Sequence, residues 1–310
     1  MDINGTPIGG LIGTIRSIKF MIRETNPYRV FFVWDASGGS AKRRSIFKEY
    51  KAGRKVRLNR SFDEDSVDVA RQNMDWQMSK TKEFLKVLGV TQIEVGDIEA
   101  DDVIGYLCGY FESTPKVIVS TDRDMWQLVN DRTAVYWPTK QKYITSSTFK
   151  DYTSCPPYNY TLMRAMEGSA DSSDNIKGIK GLGEKTILKV FGTMMELPIN
   201  LDQLIELVEH QLSLDKSGLK KLKNTEKRWM QALLDERDTV RRNMDLMQLT
   251  SPIISAASAS IIRSCIASKP TFKFTNLKLA LMNHGIQLTD QDLISTFKSY
   301  QMRWEAHETQ

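Results

Sequence analysis

The chain has 310 residues, 41% of them hydrophobic and 26% charged, with a net charge of +5. That length and composition are enough for a substantial core in two domains or one large one, and the mild basicity fits a nucleic-acid partner without requiring one. Three scattered cysteines (Cys108, Cys155, Cys265), no Cys-x-x-Cys pair and only three histidines argue against a disulfide framework, a structural zinc site or histidine-based zinc chemistry.

In chain order, Leu11, Ile15, Ile18 and Ile22 recur at helical spacing over 11–24, and Pro27 closes that helix. VFFVWDAS, 30–37, reads as a strand buried on both faces, with Asp35 at its C-terminal end. Residues 40–60 hold nine Lys or Arg against one acidic residue, Glu49. A helix over 66–88, a short strand over 89–97 and a helix over 99–112 follow. Next come strand, acidic loop and helix over 116–129, and a strand over 133–139. This alternation predicts an α/β fold with a mostly parallel central sheet and helices on both faces. From about 160 the pattern turns helical: a helix ending near Gly168, a turn and helix over 178–192, and a helical hairpin over 201–246. SCPPYN, 154–159, is the expected linker, dividing an α/β core over 1–155 from a helical region over 156–310. The segment 252–310 carries no readable motif. No apolar run reaches the ~18 residues of a membrane span. The start has no signal-like pattern, so the expected location is the cytoplasm.

The carboxylates Asp35, Glu99, Asp101, Asp102, Asp122, Asp124, Asp171 and Asp174 fall at strand ends or helix starts. Open α/β sheets place their sites at the C-terminal ends of strands. An acidic first helical turn also simply complements the helix N-terminus, a reading that covers Glu99 and Asp102 singly. It does not explain why Asp122 and Asp124 follow an apolar strand in the same way. Convergent like charges are costly unless a cation neutralises them. Oxygen-only ligation favours Mg²⁺ or Mn²⁺, and a pair of ions suits phosphodiester hydrolysis.

GIKGLGEKT, 178–186, reads as the turn and second helix of a helix-hairpin-helix-like element, with its helix starting near Glu184. Backbone N–H groups around Gly181 and Gly183 are candidates to hold a phosphate, with charge from Lys180, Lys185 and Lys189. The alternative is an ordinary glycine-rich turn between packed helices. It is no Walker loop, since GxxxxGK[ST] is absent. The basic run, with Phe47 and Tyr50, suits clamping of single-stranded nucleic acid; the alternative is a solvated helical face.

Five segments together resemble the phage and bacterial 5'-3' exonucleases and flap endonucleases, a family that includes the RNase H of T-even-type phages. They are NGTPIGGLIG, VWDASGGSAKRRSIFKEYKAGR, VGDIEADDVIGYL, VSTDRDMWQLV and MEGSADSSDNIKGIKGLGEKT. The resemblance runs from about residue 5 to 192, and more loosely to 246. It implies a PIN/5'-nuclease-like fold with a basic arch at about 38–65 and the helix-hairpin-helix-like element at 176–192. It implies Asp35, Glu99, Asp101 and Asp122 around a more tightly held metal ion, Asp124, Asp171 and Asp174 around a second, and Asp102 close by. Lys42, Arg43, Arg44, Lys51 and Arg54 would steer and position the scissile phosphate, and Tyr50 would stack on the terminal nucleotide. Gly178, Lys180, Gly181, Gly183, Lys185, Thr186 and Lys189 would grip the duplex, with a K⁺ at the turn. The implied reaction is Mg²⁺- or Mn²⁺-dependent hydrolysis at 5' ends or flaps of DNA or RNA–DNA hybrids in replication or repair. A single-strand binding protein or sliding clamp is the implied protein partner, and a phage gene expressed in the host cytoplasm is the implied setting.

One departure bears on activity. The family opens with a central strand of the form apolar-apolar-Asp, whose Asp is a metal ligand, whereas this chain opens at Met1-Asp2-Ile3-Asn4. Three explanations stand: a start at an internal methionine, a strand supplied by another chain, or a degenerate relative that binds nucleic acid but cuts weakly or not at all. A carboxylate-site Mg²⁺ phosphatase is the rival from another class, and it would need neither the glycine turn nor the basic run.

Overall fold

The computed structural model describes residues 5–53, 67–169, 174–275, 279, 282 and 291–308. Arg54 and Asp171, both named above, lie outside the described residues. The chain divides into two units that interleave along the sequence. One comprises Met1–Asp35, Lys55–Val95 and Ala256–Gln310; the other comprises Ala36–Arg54 and Gly96–Ser255.

The first unit is built on helix α1 (Gly9–Thr25), whose Leu11, Ile15, Ile18, Met21 and Ile22 are buried on one face. It stops at Asn26, in the left-handed region at φ 48°, whose N–H bonds back to the Ile22 carbonyl at 3.1 Å, with Pro27 unable to continue the helix. Strand β1 (Phe31–Trp34) pairs in parallel with β2 (Thr91–Glu94), from Phe31↔Thr91 to Trp34↔Glu94. Every residue of β1 is half-buried, whereas its apolar run predicts burial on both faces. Among the described residues β1 has a strand neighbour on one side only, so its apolar side chains are less enclosed than in a sheet interior. Helix α3 (Val67–Val87) packs on α1, and the C-terminal helix α11 (Gln291–Glu308) closes the core with Leu293, Phe297 and Tyr300. The Tyr300 hydroxyl accepts from Val30 N–H and donates to the Gly89 carbonyl.

The second unit holds the short helix α2 (Ala41–Ile46), α4 (Ala100–Tyr110), and a three-stranded sheet of β3 (Lys116–Val119), β4 (Thr133–Trp137) and β5 (Lys142–Ile144). β3 and β4 are parallel, while β5 returns antiparallel. The α/β class is as expected; among the described residues two of the three strand pairings are parallel, and the antiparallel β5 makes its sheet mixed. Alternation in the sequence orders the elements without saying which strands are neighbours. β5, with one apolar residue fully buried in three, offered too short a pattern to read.

After β3, Arg123–Leu128 forms a 3₁₀ turn rather than an α-helix. Its Trp126 packs edge-on against Trp137, Phe149 and Tyr152. The expected linker is part of this core: Cys155 is buried, and fully buried Asn159 donates to the Met195 and Leu197 carbonyls and accepts from Ile199 N–H. Such full satisfaction is what permits a buried amide. Helices α5 (Tyr160–Glu167), α6 (Glu184–Phe191), α7 (Leu201–Lys216), α8 (Asn224–Asp235) and α9 (Arg237–Met247) complete the unit, so the 201–246 hairpin is three helices. α9 packs on α5, where buried Asn243 donates to the carbonyls of Ala165 and Lys177. Helix α10 (Ala256–Ala267) belongs with α11 to the first unit. Among the described residues, no helix is long and apolar enough to cross a membrane.

Candidate active site

Five of the candidate carboxylates of the second unit fall into two groups. Glu99 occupies the N-cap position of α4, and Asp101 and Asp102 lie in its first turn. The turn containing Gly38–Ser40 comes against this point so closely that a Cβ on Gly39 would stand 2.7 Å from the Ile98 carbonyl oxygen. Only glycine permits that approach, and it brings Ser40 Oγ to 2.6 Å from Glu99 Oε1.

Arg43, on α2, is 8% exposed. Its Nη1 donates to Glu99 Oε2 and to Asp102 Oδ2, both at 2.7 Å, and its Nη2 donates to Asp102 Oδ1 at 2.9 Å. Its Nε donates to the Leu246 carbonyl at 2.8 Å. Buried Tyr50 donates its hydroxyl to Glu99 Oε2, and Lys51 Nζ donates to Glu99 Oε1, each at 2.9 Å. Glu99 thus accepts from four side chains. Burial pushes its carboxyl up, but Arg43, Ser40 and Lys51 together outweigh burial and hold it below the usual range. At Asp102 burial prevails over Arg43, and the carboxyl is raised. Burial, and then the Glu99 charge, push the Tyr50 phenol far above its ordinary value. Tyr50 and Arg43, which the resemblance places on substrate, here face the carboxylates.

The end of the basic segment is pinned to the Asp174-Asn175 pair. Lys51, at φ 53°, donates its N–H to the Asp174 carbonyl at 3.2 Å. Asn175, at φ 60°, donates Nδ2 to the carbonyls of Glu49 and Ala52; asparagine tolerates the left-handed region better than most residues. Ser169 Oγ donates to Asp174 Oδ2 at 2.8 Å. Lys42 donates to the Ile253 carbonyl, and Arg44 is exposed with its Nε 3.4 Å from the Tyr50 carbonyl.

The second acidic group follows β3. Asp122 is exposed and caps the 3₁₀ turn, its Oδ1 accepting from Asp124 N–H at 2.8 Å. Asp124 leaves 23% of its side chain accessible and lies 3.5 Å from Nε of buried Arg164. Burial and the neighbouring Asp122 push the Asp124 carboxyl up to about 6. Asp35, at the end of β1 in the first unit, is exposed. Among the described residues, no three His, Cys, Asp or Glu side chains are grouped so as to hold a metal ion.

The glycine turn has a structural side as well. A Cβ on Gly178 would lie 2.2 Å from the Glu167 carbonyl carbon, so this glycine serves chain packing. Gly181 takes φ +81° beside the ring of Trp229. Gly183 precedes α6, as read from the sequence, and Lys180, Lys185 and Lys189 are exposed while Thr186 is half-buried. Ser40, Arg164, Glu167 and Asn175 were not singled out by the sequence reading. Asn175 alone had a signal, its place in the Asp-Asn pair.

An α/β unit with acidic strand ends and helix starts, a basic segment docked on one of them and a glycine turn leading into a lysine-bearing helix defines a 5'-nuclease-like protein. A family model, "5'-3' exonuclease, N-terminal resolvase-like domain", matches residues 1–153. The 5'-3' exonuclease of Bacillus subtilis is 31% identical over 232 residues, covering 72% of each chain. The thermostable DNA polymerase I of Thermus thermophilus is 33% identical over 204 residues, which are 64% of this chain and 22% of the polymerase. The chain thus spans about a fifth of the length of that relative. A structure of T5 5'-exonuclease with bound zinc shares the fold at TM-score 0.66 and 15% identity, covering 85% of this chain and 92% of that one. A bacteriophage T5 flap endonuclease complex with DNA and metal ions does so at TM-score 0.62 and 16% identity, covering 97% and 93%. The chain belongs to the 5'-3' exonuclease and flap endonuclease family.

Proposed function

We propose that this chain is a structure-specific nucleic-acid-binding member of its family, directed to 5' ends and flaps, whose phosphodiester hydrolysis is weak. The observation that carries the reading is the Arg43 clamp. The carboxylate of Glu99, which the resemblance places around a metal ion, and that of Asp102 close by are compensated by a bidentate guanidinium, a lysine, a phenol and a hydroxyl. A cation seeking Glu99 competes with charge-assisted hydrogen bonds, which are roughly twice as strong as neutral ones. The donor set as it stands therefore does not fit a tightly held Mg²⁺ or Mn²⁺. DNA binding draws on features that need no metal: exposed Lys180, Lys185 and Lys189 around α6, and exposed Arg44 on the basic segment. Lysine and arginine contacts to phosphates give affinity that falls steeply with salt.

The second reading is an ordinary metal-dependent 5'-nuclease, favoured by the acidic residues in the segments that resemble the family's, Asp35, Glu99, Asp101, Asp122, Asp124, Asp171 and Asp174. A single experiment separates them: a 5'-labelled flap duplex incubated with the chain and Mg²⁺ or Mn²⁺, with an EDTA control, alongside a binding titration. The proposal expects salt-sensitive binding with turnover well below ~1 s⁻¹, under the usual enzyme range. EDTA-sensitive cutting near the junction within that range establishes the second reading instead.

A further inference from the structure

Besides Arg43, a second arginine is buried among the described residues. Arg164, on α5, is 3% exposed. A guanidinium taken out of water is costly unless paired, and this one has two acidic partners. Nε lies 3.5 Å from Asp124 Oδ1, and Nη1 donates to Glu167 Oε2 at 2.6 Å. Glu167 in turn offers Oε1 to the Glu184 N–H, the first residue of α6, at 3.4 Å. Glu184 is held from its own side by Thr153 Oγ1, at 2.6 Å, and by Arg123. Arg164 is therefore fixed at both ends: by its burial in α5, and by a carboxylate that is itself fastened to the next helix.

From this arrangement we infer that Arg164 is the resident counter-cation of Asp124 and sets how strongly this acidic pair takes a divalent ion. The inference rests on the same weak-metal reading as the proposed function but on a different half of the carboxylate set, one that Arg43 does not touch. A permanent positive charge on the inner side of Asp124 repels a second cation approaching from the outer side, and in a partly buried site that repulsion is poorly screened. The guanidinium does not yield its place as a lysine would: it is always charged, and its Nη1 already donates to Glu167 Oε2. Arg164 is thus a positioning and affinity-setting residue, which acts through Asp124 and touches no substrate.

The probe is Mn²⁺ alone, titrated into the full chain and followed calorimetrically. In the wild-type background, Asp124→Asn is expected to leave Mn²⁺ affinity within about twofold, because the buried guanidinium 3.5 Å away disfavours a second cation at that carboxylate. Arg164→Met keeps the apolar stem and removes the charge; it is expected to tighten Mn²⁺ binding by about tenfold or more. Adding Asp124→Asn to Arg164→Met should erase the gain. The inference is overturned if Asp124→Asn alone weakens Mn²⁺ binding about tenfold, or if folded Arg164→Met binds Mn²⁺ as the wild type does. Should Arg164→Met not fold, the Asp124→Asn arm decides by itself. These outcomes are separable from the flap assay: brisk cutting would remove the proposed function while an Asp124-independent Mn²⁺ affinity would leave Arg164 in its role.

Discussion

The two acidic groups of the second unit are close in sequence grammar and far apart in physics. Glu99 and Asp102 open a helix after one apolar strand; Asp122 and Asp124 follow another. The first pair is sealed, with every oxygen of Asp102 and Glu99 met by a side-chain donor. The second is open on the Asp122 side and braced only at Asp124, by an Arg164 contact at 3.5 Å. The carboxyl responses follow suit: Arg43 and its neighbours overcome burial to hold Glu99 low, whereas burial and Asp122 overcome Arg164 and lift Asp124 to about 6. What separates the pairs is the direction from which cations arrive. The basic segment supplies Arg43, Tyr50 and Lys51 to the first pair because its end is pinned on Asp174 and Asn175. No such segment is docked on the second among the described residues.

The sharpest way to break this comparison is to remove the seal. Arg43→Met removes the guanidinium from Asp102 and leaves Glu99 with Lys51, and breaking a buried ion-pair network from one side costs about 3–5 kcal/mol. The measurement is the urea midpoint at unchanged m-value. A loss below about 1 kcal/mol, the size of an exposed pair, would show that water already reaches the cluster. Tyr50→Phe is the milder test. It keeps the ring and deletes one hydrogen bond to a charged acceptor, for an expected loss of about 1.5–3 kcal/mol. A loss of that size with unchanged DNA affinity places Tyr50 on Glu99; weakened DNA binding at unchanged stability would put its ring on substrate instead.

Much of this was legible before folding. The apolar spacing of α1 and the runs of β1, β3 and β4 set the elements, and the glycines at 181 and 183 marked the start of α6 within a residue. The carboxylates were legible as a set because acidic residues at strand ends have few structural reasons to recur. Their partners were not. Arg43 reads as one of nine cations in a basic run, and its burial depends on Gly39 meeting the Ile98 carbonyl, a contact between segments about sixty residues apart. Arg164 and Glu167 read as an ordinary i,i+3 helix pair, worth a few tenths of a kcal/mol on a surface. Only the packing of α5, which buries the arginine, turns that pair into part of a site. The same reason hid the role of 154–159: CPP signals a turn, but the buried bonding of Asn159 is tertiary.

The smallest expected effect belongs to the open pair. Asp122→Ala removes one cap, the Oδ1 that accepts from Asp124 N–H, and a lost cap typically costs about 1 kcal/mol. Because Asp122 is exposed, water can satisfy the freed N–H, so the loss should fall at or below that figure and DNA affinity should stay as it is. Any residual Mn²⁺-dependent cleavage, however, should vanish, since of this pair the exposed Asp122 carboxylate is the one open to an incoming cation. Paired urea and flap-cutting measurements on this variant therefore test the distinction itself. If Asp122→Ala destabilises the chain as much as Arg43→Met, the second pair is as sealed as the first, and the asymmetry in how cations reach the two groups is not what sets their chemistry.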